Sequence, residues 1–312
     1  MSRISPPSEP EDEPQEGQKI EFVDVDVRAW VEAMRADQTR YRDRQVTEIV
    51  LTTIGVGPFL KDALVLKGGT LMALAFKSDR LTGDVDFTAQ AGPEGFEEQL
   101  VAELNDLMPK TAIRLGYLDL ICRVQSVEKK PRPENFLDRD FPALLVRVGS
   151  AQRGTRQEEL LKVGRAARVH QLEISFRDQV YAFQELCLID AGVAVHGFTL
   201  SELIAEKFRA LLQQPIRKRN RRQDVFDIAY LIDTQGIDDD DRRAIHQTLL
   251  AKCKTRGIRP TKESLNAPEV AQRAGAEWET LELEVEKLPS FDERFQVVRK
   301  LYESLPWQDT LS

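Results

Sequence analysis

Two carboxylates, Asp84 and Asp86, stand two residues apart in a short segment, 83–87, whose apolar residues indicate a β-strand. Because side chains alternate between the two faces of a strand, both carboxylates point the same way, while Val85 and Phe87 point into the core. Two carboxylates on one face repel each other unless a cation lies between them. Phosphoryl and nucleotidyl transfer require such cations, which lower the pKa of an attacking hydroxyl and neutralise a departing pyrophosphate. The spacing therefore predicts a divalent-metal site.

A pair of glycines precedes this strand. The apolar segment 63–66 is predicted to be a first strand, and Lys67, Gly68 and Gly69 follow it directly, ahead of a helix over 71–76. Glycine lets backbone N–H groups approach a triphosphate because no Cβ stands in the way. The pattern is not a Walker A loop, since the lysine precedes the glycines and no GxxxxGK[ST] segment occurs. Alone, the glycine pair or the pair of Asp84 and Asp86 is usually a structural feature. Combined in one strand–helix–strand unit, the two pairs favour a nucleotide site.

A third carboxylate normally completes a two-metal site, and Glu173 is the candidate. In the predicted strand 167–176, Glu173 lies on the face opposite Leu172 and Ile174. An ordinary exposed strand glutamate is the alternative interpretation. Asp119, in another expected strand, is a weaker competitor for the same role.

The stretch 66–87 resembles the AbiEii/AbiGii nucleotidyltransferase toxin family, a branch of the polymerase-β-like nucleotidyltransferases related to the MenT-like toxins. That family carries a Lys-Gly-Gly-Thr segment, an Arg, an Asp-x-Asp-Phe strand, an Ala-Glu-Lys helix and an Arg-x-Asp-x-x-Asp helix, in this order. The likeness spans roughly residues 60–235. The matching positions are Lys67, Gly68, Gly69, Thr70, Arg80, Asp84, Asp86, Phe87, Ala205, Glu206, Lys207, Arg222, Asp224 and Asp227.

The resemblance implies a metal-dependent enzyme that transfers a nucleotide from a nucleoside triphosphate (NTP) to an acceptor hydroxyl, with Mg²⁺ as cofactor and Mn²⁺ as its substitute. It also implies the toxin of a toxin–antitoxin or phage-defence pair, with a cognate antitoxin as partner. Metal binding falls to Asp84, Asp86 and Glu173. Contacts to phosphates fall to Lys67, Gly68, Gly69, Thr70 and Lys207, with Arg80 as electrostatic support.

The acceptor is expected by analogy alone. MenT-like toxins extend the 3′ ends of tRNA, so the resemblance makes tRNA, or another RNA, the first acceptor to consider. Transfer onto a protein hydroxyl is one alternative. A non-catalytic nucleotide- or partner-binding module on the same fold is another, although the intact pair of Asp84 and Asp86 argues against it.

Apolar residues recur at helical spacing over 199–213, and Lys207 falls inside the apolar stripe. A lysine that faces inward is costly to desolvate unless it meets an anion, either a phosphate or a carboxylate. On the next predicted helix, 222–235, Asp224 lies beside the apolar stripe and Asp227 lies further out. Lys207 and Asp224 are therefore predicted to be catalytic. A structural salt bridge between the two helices is the alternative, and both readings hold if Asp224 orients Lys207 toward the triphosphate.

A strongly basic loop joins these two helices. It places five positive charges in six residues, and they are Arg217, Lys218, Arg219, Arg221 and Arg222. In an acidic protein such a loop is a candidate contact for an RNA backbone or a triphosphate. A solvated loop that balances neighbouring acids is the alternative. No aromatic residue is interleaved, so base stacking is not indicated.

The expected elements predict an α/β fold in an α+β layout: a mixed sheet of nucleotidyltransferase type with flanking helices, followed by a helical C-terminal domain. The first 20 residues contain four prolines and five carboxylates, which predicts a disordered acidic tail. The predicted divisions are 1–22 for the tail, 23–195 for the core domain and 196–312 for the helical domain. A helix over 94–108 is expected to stop at Pro109, with a strand over 111–127 and a later helix over 268–287.

Composition excludes several classes of protein. Of the 312 residues, 41% are hydrophobic, and no apolar run is long enough to cross a bilayer or to act as a signal peptide, so no membrane partner is expected. Three dispersed cysteines favour the reducing cytoplasm, and three histidines form no ligand set. A net charge of −8 argues against general nucleic-acid coating but allows a local basic patch. The three tryptophans, Trp30, Trp278 and Trp307, are interpreted as packing residues.

Overall fold

The computed structural model describes residues 20–131, 136–138 and 141–307, so all but the last three residues of the predicted acidic tail lie outside the described residues. Eight strands are described: β1 (Phe22–Val25), β2 (Leu64–Lys67), β3 (Val85–Ala89), β4 (Leu120–Lys130), β5 (Ala143–Gln152), β6 (Val169–Ser175), β7 (Phe183–Leu188) and β8 (Val193–Phe198). The described α-helices are α1 (Val27–Glu32), α2 (Gln38–Val56), α3 (Pro58–Ala63), α4 (Gly68–Ala75), α5 (Phe96–Arg114), α6 (Arg156–Lys162), α7 (Leu200–Arg217), α8 (Arg222–Gln235), α9 (Asp239–Thr255), α10 (Pro268–Gly275) and α11 (Phe291–Glu303). Short 3-10 helices lie at Phe136–Asp138, Ser264–Asn266 and Trp278–Leu283.

The strands form one mixed sheet in the order β1-β7-β8-β2-β3-β6-β5-β4. The pairs β1/β7, β2/β8 and β3/β6 are parallel, and the other neighbours are antiparallel. This arrangement confirms the predicted α/β class with a mixed sheet and flanking helices. The strand–helix–strand unit β2–α4–β3 lies at the centre of the sheet, where both strands are covered by neighbours.

One hydrophobic core joins the sheet to the helices packed against it. Helix α2 packs against α5 and β8, and α7 packs against α8, α9 and β8. The domain boundary predicted at residue 196 lies within β8, and the division into domains stays a prediction. Within the described residues, no helix combines the length and the apolar character that crossing a bilayer requires.

Helix α5 continues through Pro109, where the sequence predicts its end. Proline lacks an N–H group, so the carbonyl of Asn105 loses its usual helical donor. Met108 and Ala112, on either side of the proline, are nevertheless fully buried, and their packing stabilises the last turns of the helix. Strand β4 consequently begins at Leu120 instead of at residue 111.

The helix predicted over 268–287 is also interrupted. Helix α10 ends at Gly275, and a 3-10 helix follows from Trp278. Glu277 between them has a φ of 62°, in the left-handed region, which cannot continue an α-helix. The ring of Phe291 packs so closely on Gly275 that an added Cβ would lie 2.8 Å from it. Packing between segments therefore overrides the local helical pattern.

Candidate active site

The carboxylates of Asp86 and Glu173 lie on neighbouring strands. Strands β3 and β6 run parallel, and Asp86 is the register partner of Glu173. Their chain neighbours Val85 and Leu172 are buried, so the two carboxylates share the opposite, accessible face of the sheet. Asp84 is exposed and stands one residue before β3, at the open end of the strand.

Lys67 flanks Asp86 on the other side. Strands β2 and β3 are antiparallel, and Lys67 pairs in register with Asp86. The Lys67 Nζ donates a hydrogen bond of 2.7 Å to the Ser175 Oγ and lies 3.8 Å from the Asp178 Oδ2. Lys67, Asp86 and Glu173 therefore form a row across three strands, with the cation at one end.

The pKa of Asp86 is raised to about 6. Burial is the main cause, and the negative charges of Glu173 and Asp84 add to it, while Lys67 and Lys207 act in the opposite direction. Burial therefore outweighs the two cations and disfavours the ionised form of Asp86. A bound cation would relieve that imbalance and favour the ionised form of Asp86.

The two glycines make room for this arrangement. Gly68 has a φ of 69°, and an added Cβ would lie only 2.1 Å from the Asp86 Oδ2. At Gly69 the added Cβ would lie 2.5 Å from the Thr82 Oγ1. Larger residues at these two positions would therefore push β3, which carries Asp86, and the loop before it away from the start of α4.

Thr70 contributes through the backbone of the carboxylate segment. Its hydroxyl donates a hydrogen bond of 3.0 Å to the carbonyl of Asp84, and the residue is only 2% exposed. The side chain therefore stabilises the position of Asp84 and does not itself open onto solvent.

Lys207 is buried between two aspartates. Its Nζ donates to the Asp224 Oδ1 at 3.1 Å and to the Asp227 Oδ2 at 2.7 Å. Burial works to lower the pKa of Lys207, but Asp227 and Asp224 outweigh it and raise the pKa above the ordinary value. Lys207 therefore keeps its charge, which reaches far enough to stabilise ionised Asp86.

Asp227 is the residue that the helical pattern placed wrongly. It was expected on the outer side of its helix, yet it is fully buried. Besides Lys207, it accepts two hydrogen bonds from Arg80, at 2.8 Å from Nε and 3.1 Å from Nη2. Two cations from other segments compensate the buried charge, and a pattern read from the apolar residues of α8 alone contains no sign of them.

Arg80 joins the loop before β3 to the C-terminal part of the chain. In addition to Asp227, it donates to the Glu284 Oε2 at 2.9 Å. Burial works to lower the pKa of Arg80, but these two carboxylates outweigh it and raise the pKa. Both ends of the guanidinium are engaged, so Arg80 supports the site through the position of its loop.

The basic loop contacts acids beside this centre through two of its five basic residues. Arg217, Lys218 and Arg219 are exposed, whereas Arg222 lies 3.7 Å from Glu277 and 3.8 Å from Glu284 in ion pairs. Arg221 is 3.8 Å from Asp224. All five basic residues are described, and none of them lines the pocket beside Asp84 and Asp86.

That pocket has a volume of about 550 Å³, within the range of small-molecule sites. Gly69, Asp84 and Asp86 line it together with Arg40 and Arg44 of α2. Neither arginine was singled out from the sequence, because no local motif connects α2 to the carboxylate strand. Other lining residues include Trp30, Ala73, Arg80, Leu81, Thr82, Leu283 and Glu284.

The donor set suits a hard divalent cation. Among the described residues, no three His, Cys, Asp or Glu side chains converge as a preformed metal cage. Mg²⁺ does not need one, because one or two carboxylates, water and substrate phosphates usually complete its shell. Asp84 and Asp86 meet that requirement. Asp119 does not join them, since it precedes β4, the edge strand two positions from β6.

The sequence profile described as the nucleotidyl transferase AbiEii toxin of a type IV toxin–antitoxin system matches residues 50–297. This match extends past the segment 60–235 indicated by the motifs and includes most of the C-terminal helices. No curated protein matches the sequence.

Solved structures share the fold at low identity. JHP933 from Helicobacter pylori is 13% identical, with a TM-score of 0.50 over 86% of this chain and 92% of its own. MenT4, a nucleotidyltransferase toxin from Mycobacterium tuberculosis H37Rv, is 17% identical, with a TM-score of 0.50 over 91% of this chain and 90% of its own. These likenesses concern the fold, whereas the family profile covers well over half of the chain. The chain belongs to the AbiEii family of nucleotidyltransferase toxins of type IV toxin–antitoxin systems.

Proposed function

We propose that this toxin transfers a nucleotide from an NTP to the 3′ hydroxyl of an RNA, with tRNA as the first candidate, in a Mg²⁺-dependent reaction. The observation that carries the proposal is the row of Lys67, Asp86 and Glu173 across three strands, with Asp84 beside it. A cation bound there, Mg²⁺ or Mn²⁺, would neutralise phosphate charge and lower the pKa of the acceptor hydroxyl.

The chain's own residues position the reactants. Asp84 and Asp86 are proposed as the metal ligands, with Glu173 as the third carboxylate next to Asp86. The acceptor oxygen attacks the α-phosphorus, a new P–O bond forms, and the bond to the pyrophosphate breaks. The proton of the acceptor hydroxyl passes to the carboxylate of Glu173, next to Asp86, and the electron pair of the broken bond leaves with the pyrophosphate.

Phosphates are proposed to lie along the start of α4. Gly68 and Gly69 expose backbone N–H groups there, and Lys67 places its ammonium beside Asp86. Thr70 acts by fixing the backbone of Asp84, and Arg80 acts by fixing the loop that leads to it.

Lys207 is proposed to add positive charge behind the site. Asp224 and Asp227 hold its ammonium in one place, so both the catalytic interpretation and the structural salt bridge apply to the same contacts. The charge of Lys207 favours ionised Asp86, which is the form that binds a metal.

The proposed RNA acceptor is supported by the exposed basic residues at the end of α7. Arg217 lies ten positions after Lys207 on α7, a distance of roughly 15 Å at 1.5 Å per residue. An RNA whose 3′ end reaches the carboxylates could therefore place a backbone phosphate near Arg217, Lys218 and Arg219. A cytoplasmic location and control by a cognate antitoxin complete the proposal.

A labelling assay tests the proposed function. The purified protein and its Asp86→Asn variant would be incubated with Mg²⁺, each α-labelled NTP, total tRNA and cell extract. Label on RNA that is absent from the variant and from samples with a chelator would support the proposal. Label on protein would move the acceptor to a protein hydroxyl, and binding of NTP without any transfer would identify a non-catalytic module.

A further inference from the structure

Two arginines that the proposed reaction does not use line the same pocket as the carboxylates. Arg40 and Arg44 lie one turn apart on α2, and both line the pocket that contains Asp84 and Asp86. They also line an adjoining pocket of about 660 Å³, so they stand where the two cavities meet.

Arg44 is held in place by an aromatic ring. Its guanidinium carbon lies 4.3 Å from the ring centroid of Trp30, and the guanidinium donates a hydrogen bond to the Trp30 carbonyl. No carboxylate of the described residues forms an ion pair with Arg44. Arg40 has one such partner, Asp37, at 3.4 Å, and both of those side chains are about half exposed.

The two positive charges disfavour each other. Like charges four residues apart on a helix cost a few tenths of a kcal/mol. Burial and the charge of Arg40 lower the pKa of Arg44 to about 10. An anion bound between the guanidiniums would offset the repulsion between the two charges and the cost of burying the charge of Arg44. Guanidinium groups bind phosphate oxygens through two parallel hydrogen bonds.

The same pocket connects this pair to the reacting centre. Gly69 at the start of α4 and Ala73, one turn further along the helix, line the same pocket as the carboxylates and the arginines. A triphosphate whose α-phosphate is near Asp84 and Asp86 would run along α4 toward α2. An RNA backbone fits less well, because the space next to the carboxylates is the place of the NTP's own phosphates.

We infer that Arg40 and Arg44 form the subsite for the terminal phosphates of the NTP, with Trp30 positioning Arg44. This inference rests on the proposed function, since it assumes that an NTP occupies the pocket. The subsite would favour a triphosphate over shorter phosphate chains and would hold the departing pyrophosphate.

Binding of inorganic tripolyphosphate in the presence of Mg²⁺ tests the subsite without any choice of base. Calorimetric titration would compare the wild type with Arg40→Gln, Arg44→Gln and the double variant. We expect a three- to tenfold weaker affinity for each single variant and a larger loss for the double variant. The Arg40→Gln variant keeps the test valid if Arg44→Gln unfolds, because the Arg40 side chain is half exposed and its ion pair with Asp37 is a surface contact.

The matched control is Arg35→Gln, since Arg35 lies five residues before Arg40, has a side chain that is 77% exposed, and lines neither pocket. Unchanged tripolyphosphate affinity in the Arg40 variant, or an equal loss in the Arg35 control, would overturn the subsite. A loss confined to RNA binding would overturn it as well. Wild-type protein that binds tripolyphosphate through the arginines but transfers no nucleotide would contradict the proposed reaction and leave the subsite standing.

Discussion

Asp86 and Glu173 are register partners on the parallel strands β3 and β6. These two carboxylates, which lie far apart in the sequence, therefore share one face of the sheet. Lys67 occupies the corresponding position on the other side of Asp86. The pKa of Asp86 therefore depends on its burial first and on its neighbours on both strands second, and the titration of this residue is open to direct test.

Metal binding should weaken as the pH falls through about 6, the pKa of Asp86 in the folded protein. A proton and a divalent cation compete for the same carboxylate, so a higher Mg²⁺ or Mn²⁺ concentration should shift the midpoint to lower pH. Removing the negative charge of Glu173 by Glu173→Gln should lower that pKa and move the midpoint in the same direction. Mn²⁺ titrations followed by electron paramagnetic resonance would measure the pH midpoint and its shift in the variant. A midpoint unaffected by Glu173→Gln would contradict the claim that the charge of Glu173 raises the pKa of Asp86.

The raised pKa of Asp86 also predicts how the stability of the metal-free protein depends on pH. Stability falls with rising pH, whereas metal binding becomes stronger. The folded-state pKa of Asp86 is raised above its usual value of 3.8, so the folded protein binds this proton more tightly than the unfolded chain does. Through this group, the free energy of unfolding should decrease as the pH rises from about 4 to about 6. The Asp86→Asn variant should lack this contribution, and urea unfolding at several pH values, in metal-free buffer, would reveal the difference between the two proteins.

Gly68→Ala should damage both stability and metal binding. The left-handed backbone at φ 69° costs a residue with a Cβ about 1–2 kcal/mol, and that Cβ would also collide with Asp86. Gly83→Ala is the matched control, because no heavy atom lies within 4 Å of its added Cβ and its φ is not positive. Thermal unfolding and Mn²⁺ affinity should change in the first variant alone; equal behaviour of the two variants would show that the close approach at Gly68 is unimportant.

Asp227→Asn should destabilise the protein by about 3–5 kcal/mol, because it leaves Arg80 and Lys207 as buried cations short of a counter-charge. Asp224→Asn should cost less, since Asp224 contacts Lys207 at 3.1 Å and has no hydrogen bond to Arg80. Urea unfolding would measure the free energy of unfolding of each variant, with the slope of that free energy against urea concentration held the same for all proteins. A larger effect at Asp224 than at Asp227 would contradict the central position of Asp227.

Replacing Lys218 and Arg219 by Ala should weaken RNA binding without altering tripolyphosphate binding. Each lost phosphate contact should reduce the slope of log affinity against log salt by about one unit. Replacing Arg243 and Lys254 by Ala, two exposed cations of α9, serves as the control for net charge. Filter binding at several salt concentrations would give the slopes, and equal slopes in all variants would remove the loop from the RNA interface.

The sequence by itself determined the features that arise from local interactions. Strand alternation at Asp84 and Asp86, the two glycines before a helix and the apolar stripe around Lys207 each depend on residues a few positions apart. These patterns were enough to predict the α/β class, the carboxylate strand and the family, which the profile over 50–297 confirms. The motif resemblance gave too short a span, because the C-terminal helices carry packing residues and few chemical motifs.

Only the tertiary structure decided which distant residues meet. The register of β3 with β6 brings Glu173 to Asp86, and the packing of α8 on α7 and on the loop at Arg80 buries Asp227. The periodicity of one helix cannot reveal this burial, because the compensating cations belong to other segments. In the same way, Arg40 and Arg44 belong to the pocket only because the fold brings α2 and the start of α4 to the same cavity. Contacts of this kind are set by the global arrangement of the sheet, and local sequence carries no record of them.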